Sequence, residues 1–223
     1  MEKYDNLTVL GTSHISTDSV KVIENFIEKN KPFIIAVELD SRRLEGLLAE
    51  SKFSFKGAFE MGLGAFFIGL IGSWIQKKLG NIVNVKPGSD MLKAVEMAKK
   101  YNLKLALIDQ DARTTLKKLV KNFSWKEKGN LIYDLTIGLV FKPKKIRGFD
   151  IKKVPPKNLI KELLEIVRER YPTIYNVLIE ERNYIMSKNL YKLMINYPDR
   201  KIFVVVGAGH EEGIIEMVRG IKG

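Results

Sequence analysis

The chain has 223 residues, 45% of them hydrophobic, enough to bury a full core in one large domain or two small ones. It contains no cysteine, so disulfides and thiolate metal sites are excluded, and any metal must be held by histidine nitrogen and carboxylate oxygen. The formal net charge of +12 favours anionic partners: nucleic acid, anionic lipid or acidic substrates.

Met1 to Asp5 is charged and runs directly into an apolar stretch, without the basic and apolar regions of a secretory signal, so the expected compartment is the cytoplasm. Leu7–Leu10 reads as a buried strand, followed by Gly11-Thr12-Ser13-His14. Ser16-Thr17-Asp18 reads as a helix N-cap, with Val20, Ile23, Phe26 and Ile27 at helical spacing behind it. Phe33–Val37 is a second buried strand, ending at Glu38-Leu39-Asp40 and leading into a short helix with Leu44, Leu47 and Leu48. This strand–helix alternation implies a right-handed crossover and a parallel pair.

Met61–Ile75 carries no charge and includes Gly62, Gly64, Gly69 and Gly72. At ~1.5 Å per residue such a helix spans about 22 Å, short of a hydrocarbon core of ~30 Å. Leu63, Phe66, Phe67, Leu70, Ile71, Trp74 and Ile75 cover most of its circumference, whereas a helix on one sheet needs only a stripe. Residues 57–80 are therefore expected to form an apolar helical insertion that packs in a homodimer or against a membrane.

Pro87-Gly88-Ser89-Asp90 caps the next helix, which carries Leu92, Val95 and Ala98 on one face. Leu103–Ile108 is the third strand, ending at Asp109-Gln110-Asp111-Ala112-Arg113, and Leu116, Leu119 and Val120 mark the helix after it. Residues 124–141 read as helical around Leu131–Val140. Residues 142–157 form a basic linker with Lys142, Lys144, Lys145, Arg147, Lys152, Lys153 and Lys157. It reads first as solvated chain and next as a contact for an anionic membrane surface. Nucleic acid comes last, because no aromatics interleave for stacking. Two helices follow, 157–170 and 173–196, separated near Pro172. The last strand, Ile202–Val206, leads through Gly207-Ala208-Gly209-His210 to a closing helix with Ile214, Ile215 and Val218.

The chain's two histidines, His14 and His210, thus sit in matched contexts: a strand, a Gly-led turn, an imidazole, then a helix. Near-continuous apolar strands are the mark of a parallel sheet covered on both faces, and such sheets place ligands at the strands' carboxyl ends. Those ends supply His14; Glu38 and Asp40; Asp109, Asp111 and Arg113; and His210. Asp40 and Asp111 serve equally well as helix caps. A histidine and carboxylate set suits Zn, Mn, Fe or Co better than Mg. A bound metal would acidify water and polarise a carbonyl, whereas without one His14 or His210 would act as general base beside Glu38. The residue pattern leaves both open. There is no GxSxG elbow, HExxH pair or phosphate-cradling loop.

Several motifs in order, Gly-Thr-Ser-His (11–14), Val-Glu-Leu-Asp-Ser-Arg-Arg (37–43), Lys-Pro-Gly-Ser-Asp-Met (86–91), Asp-Gln-Asp-Ala-Arg-Thr-Thr-Leu (109–116), Glu-Glu-Arg-Asn-Tyr-Ile-Met (180–186) and Val-Gly-Ala-Gly-His-Glu-Glu-Gly-Ile (206–214), cover nearly the whole chain. This set resembles the TraB/PrgY pheromone-shutdown family. The resemblance implies a single domain over 1–223 with an α/β fold, a mostly parallel central sheet flanked by helices, as in Tiki proteases, erythromycin esterases and haem-binding ChaN-like proteins. It implies a divalent-metal site for Mn, Zn or Co at His14, His210 and Glu38. Glu38 and His14 would then be catalytic, with Arg113 and Arg182 holding an anionic group or developing oxyanion. Arg182 is expected to face this pocket from the helix 173–196. The implied function is a metal-dependent hydrolase, a peptidase on small peptides such as pheromones. The alternatives are a protein that sequesters a peptide or haem in the same pocket, and a membrane-associated scaffold. Family members also suggest a cytoplasmic domain tethered to a membrane by helices beyond residue 223. Two positions depart from the family pattern. Gln110 stands where a basic residue is common, shifting the arginine role to Arg113, and Asn183 replaces the aspartate of Glu-Arg-Asp.

Overall fold

A computed structural model describes residues 1–13, 17–49, 88–137 and 156–222. His14, the apolar insertion 57–80 and the basic linker as far as residue 155 lie outside the described residues. The sheet comprises β1 (Glu2–Tyr4), β2 (Leu7–Thr12), β3 (Ile34–Val37), β4 (Lys104–Leu107) and β5 (Ile202–Gly207), in the order β1-β2-β5-β3-β4. β1 is antiparallel to β2, and the remaining pairings are parallel. The fold is therefore α/β with a mostly parallel sheet.

Around the sheet run α1 (Thr17–Asn30), α2 (Ser41–Leu48), α3 (Ser89–Lys100), α4 (Ala112–Asn122), α5 (Trp125–Ile137), α6 (Lys157–Arg170), α7 (Pro172–Tyr175), α8 (Glu181–Asn196) and α9 (Glu211–Lys222). The period-two alternation of the strands sorts the core into two layers. Ile202, Val204 and Val206 of β5 meet Met186 and Leu190 of α8 and Ile214 and Val218 of α9. Phe203 and Val205 point the other way, to Ile23 and Ile27 of α1 and Met91 and Met97 of α3. The Phe203 ring stacks on Phe26 with centroids 4.2 Å apart. β5 is buried on both faces, which is why it reads as an unbroken apolar run.

Three details differ from the sequence reading. β1 was not expected. It is a short edge strand with Glu2 and Lys3, turned back by Asp5 at a left-handed φ of 53°, and so carries no apolar signature. Gly11 and Gly207 lie within strands rather than in turns, since Gly11 pairs with Val206 and Thr12 with Gly207. The reason at Gly11 is close packing: a Cβ there would come within 2.9 Å of the Ala208 Cα. The helix expected over 173–196 is three pieces, because a π-helical turn, Asn176–Glu180, separates α7 from α8. Among the described residues no helix is long and apolar enough to cross a membrane.

Candidate functional site

β5 lies between β2 and β3, so their carboxyl ends open side by side. Glu38 directly follows β3 and is buried. Its Oε2 accepts the Gly207 backbone N–H at 2.6 Å, which fixes the carboxylate to the end of β5. His210 is also buried and starts α9, its carbonyl accepting the Ile214 N–H at 2.9 Å. Its Nε2 stands 3.6 Å from Glu38 Oε1.

Arg182 enters from the first turn of α8. It donates from Nη2 to Glu38 Oε1, and it forks onto Asp109 through Nε (3.1 Å) and Nη2 (2.8 Å). Its Nη1 lies 3.2 Å from His210 Nε2 and donates to the Leu178 carbonyl at 3.3 Å. The π turn sets this approach: the Glu181 N–H donates five residues back, to Asn176, and such turns recur at functional sites. Asp109, at the end of β4, also accepts Arg43 Nη1 at 3.1 Å and the Gln110 N–H at 2.8 Å. Burial works against the charge of Arg182, but the Glu38 and Asp109 carboxylates outweigh it and raise its pKa above the ordinary arginine value.

These contacts fit one tautomer of the imidazole. A guanidinium only donates, so Nε2 must present its lone pair to Arg182. The proton is then on Nδ1, which donates to Asn183 Oδ1 at 2.6 Å. Asn183 is buried, and its amide packs where Gly213 has no side chain: a Cβ on Gly213 would lie 2.4 Å from Asn183 Nδ2.

Other expected residues fall elsewhere or serve the backbone. Asp40 is the N-cap of α2, accepting the Arg42 and Arg43 N–H groups, and also takes the Ala112 N–H at 3.2 Å. Asp111 caps α4 and pairs with Arg42 at 3.1 Å. Arg113 is exposed on the first turn of α4, and the arginines on Asp109 are Arg43 and Arg182. Asp90, read only as part of a cap, is fully buried against the Thr12 hydroxyl at the end of β2, while Gly88 takes the N-cap with φ 85°. Asn183, Arg43 and Gly213 were not picked out as site residues. Each sits inside a quoted motif, but its role depends on contacts across the fold.

Beside Asn183 lies a cavity of about 390 Å³, whose lining includes neither His210, Glu38 nor Arg182. Ile160 and Leu164 of α6, Ile179, Asn183 and Gly209 line it, with Lys161, Arg168, Glu180 and Glu212 among its charged residues.

Among the described residues no group of three or more His, Asp or Glu side chains is arranged to hold a metal ion. Glu38 and His210 contribute two donors. Their 3.6 Å separation is within the span of two bonds of ~2.1 Å each to one ion. Both donors are also oriented from behind, Glu38 by the Gly207 N–H and His210 by Asn183, as metal ligands commonly are. Among the described residues, then, two donors of a kind that Zn, Mn or Co accepts stand together, short of the three or four protein ligands of an ordinary zinc site.

Together these features define an α/β domain, helices on both faces of a mostly parallel sheet, with a histidine, carboxylate and arginine cluster at the strand ends. Residues 2–220 match the model of the TraB/PrgY/gumN family, and the chain belongs to that family. It is 37% identical over 224 residues to an uncharacterized protein of Methanocaldococcus jannaschii, covering 97% of this chain and 54% of that protein. It is 24% identical over 232 residues to the TraB domain-containing proteins of Mus musculus and Homo sapiens, covering 92% of this chain and 61% of each. The chain thus spans a little over half the length of these relatives.

Proposed function

We propose that this domain is a divalent-metal-dependent hydrolase acting on small peptides. The observation that supports it best is the buried pair of Glu38 Oε1 and His210 Nε2, 3.6 Å apart, with the imidazole held by Asn183 as the tautomer whose Nε2 carries the lone pair, now turned to Arg182. Glu38, His210 and, by family resemblance, His14 would hold the ion. Thr12, two residues before His14, pairs with Gly207, three residues before His210. When bound, such an ion supplies a water acidic enough to attack at neutral pH and polarises the scissile carbonyl.

The chain's own groups do the rest. Asn183 fixes the imidazole ring. Glu38 would either ligate the ion or, unligated, take a proton from the attacking water as general base. Arg182, anchored on Asp109, would offer to an oxyanion the N–H groups it now gives to Glu38 and His210, a role its position favours over exposed Arg113. The cavity beside Asn183 is lined by Ile160, Leu164 and Ile179 together with charged residues, chemistry that suits part of a short peptide.

The test is turnover of a peptide library by chelator-treated protein with Mn, Zn or Co restored. Cleavage should return with metal, and Glu38→Gln should lower it by roughly 10²–10⁴-fold. Saturable peptide binding without cleavage under every metal would instead make the domain a sequestering protein.

A further inference from the structure

Arg182 holds two sets of partners that differ in kind. On Asp109 it is anchored by a fork, Nε at 3.1 Å and Nη2 at 2.8 Å, and Asp109 is itself braced by Arg43 and the Gln110 N–H. On the other side it engages Glu38 Oε1 and His210 Nε2, the two atoms that a metal ion would need. A guanidinium and a divalent cation draw on the same lone pairs, and they repel each other in a buried site. We propose that Arg182 is the resident counter-ion of the Glu38–His210 pair, which a divalent cation must displace, and that Asp109 keeps the displaced guanidinium beside the site. The inference rests on the metal reading above.

Two consequences follow from the charges. The metal-free domain stays balanced: the buried carboxylates of Glu38 and Asp109 face Arg182 and Arg43, so the site can remain folded without an ion. Metal affinity is set by a competition, so loss of Arg182 tightens binding. This sign is diagnostic. Removing a residue that merely supports a metal site weakens affinity by about 10–100-fold.

The experiment titrates Co²⁺ and Mn²⁺ into chelator-treated wild type, Arg182→Met and Arg182→Lys by calorimetry, after circular dichroism has shown each variant folded. Arg43 remains on Asp109 in both variants. Arg182→Met should bind roughly tenfold or more tightly, the reverse of that supporting-residue effect, with Arg182→Lys between it and wild type. Metal binding in wild type that is unchanged or weaker in Arg182→Met would overturn this inference and leave the metal reading standing. Silence in wild type and both variants would overturn the metal reading, and this inference with it. A zinc-bound crystal structure of wild type needs no variant. The guanidinium should have left Glu38 and His210 while still on Asp109, and a guanidinium still between them would overturn the proposal.

Discussion

A single imidazole shows how closely this site is specified. His210 has both ring nitrogens assigned, Nδ1 by Asn183 and Nε2 by Arg182, from adjacent residues of one helix. Asn183→Leu removes the Nδ1 acceptor and strands a buried N–H, at a cost of about 1–3 kcal/mol. It should also cut affinity for a divalent ion by roughly 10–100-fold, measured by calorimetry. Asn183→Asp keeps an acceptor at the same place and should retain binding. Gly213 tests the same geometry sterically. Glycine to alanine inside a helix normally stabilises by about 0.5–1 kcal/mol. Here the added Cβ would lie 2.4 Å from Asn183 Nδ2, so Gly213→Ala should instead destabilise by about 1–3 kcal/mol in urea unfolding.

Among the elements, α5 and α7 are tied through one acid. Ser124 and Glu127 exchange bonds at the start of α5: the Glu127 N–H donates to Ser124 Oγ at 3.2 Å, and the Ser124 N–H donates to Glu127 Oε2 at 3.0 Å. This capping box was present in the sequence as Ser-Trp-Lys-Glu. Glu127 also accepts the Thr173 N–H at 2.7 Å, which satisfies the start of α7. Burial pushes the Glu127 carboxyl up, but the bonds from Ser124 and Thr173 outweigh it and hold its pKa below the usual value. Glu127→Ala should therefore cost about 1–2 kcal/mol, more than Ser124→Ala at ~1 kcal/mol, in thermal unfolding.

Asp134 links α5 to the end of α6. It accepts Arg170 Nε at 2.5 Å and the buried Tyr171 hydroxyl at 2.5 Å. The Arg170 bond chiefly holds the Asp134 carboxyl below its ordinary value, and burial with the Asp134 bond pushes Tyr171 up to about 12. A carboxyl whose folded pKa is depressed stabilises the fold above its unfolded pKa of about 3.9, and that contribution is lost as pH falls through the folded value. The stability gap between wild type and Asp134→Asn, from urea midpoints, should be full at pH 7 and shrink below about pH 4.

For the whole molecule, the site exists because β5, close to the end of the chain, inserts between β2 and β3. His210 therefore meets Glu38 only in the assembled sheet. A ligand that binds the native site alone raises the unfolding temperature by mass action. Millimolar Mn²⁺ should raise that of wild type and leave His210→Ala unmoved in differential scanning fluorimetry. An equal rise in both would place the ion elsewhere.

Much of this architecture was legible locally. Buried parallel strands need apolar residues on both faces, so β3 and β5 announce themselves as unbroken apolar runs and β2 as one interrupted only by Thr8. Polar residues that directly follow them, Glu38 among them, are then bound to sit at the sheet's carboxyl edge. The motifs spanning residues 11 to 214 carried the family in the same way. The edge strand β1 escaped because half-exposed Glu2 and Lys3 need no apolar pattern. The π turn escaped because one extra residue in a turn leaves the helical composition unchanged. The tertiary structure alone decided the partners: Arg182 on Asp109 and Glu38, Asn183 on His210, and Gly213 making room for Asn183. Such choices depend on strand order and helix approach. These are settled by packing the whole core and not by the preferences of any segment.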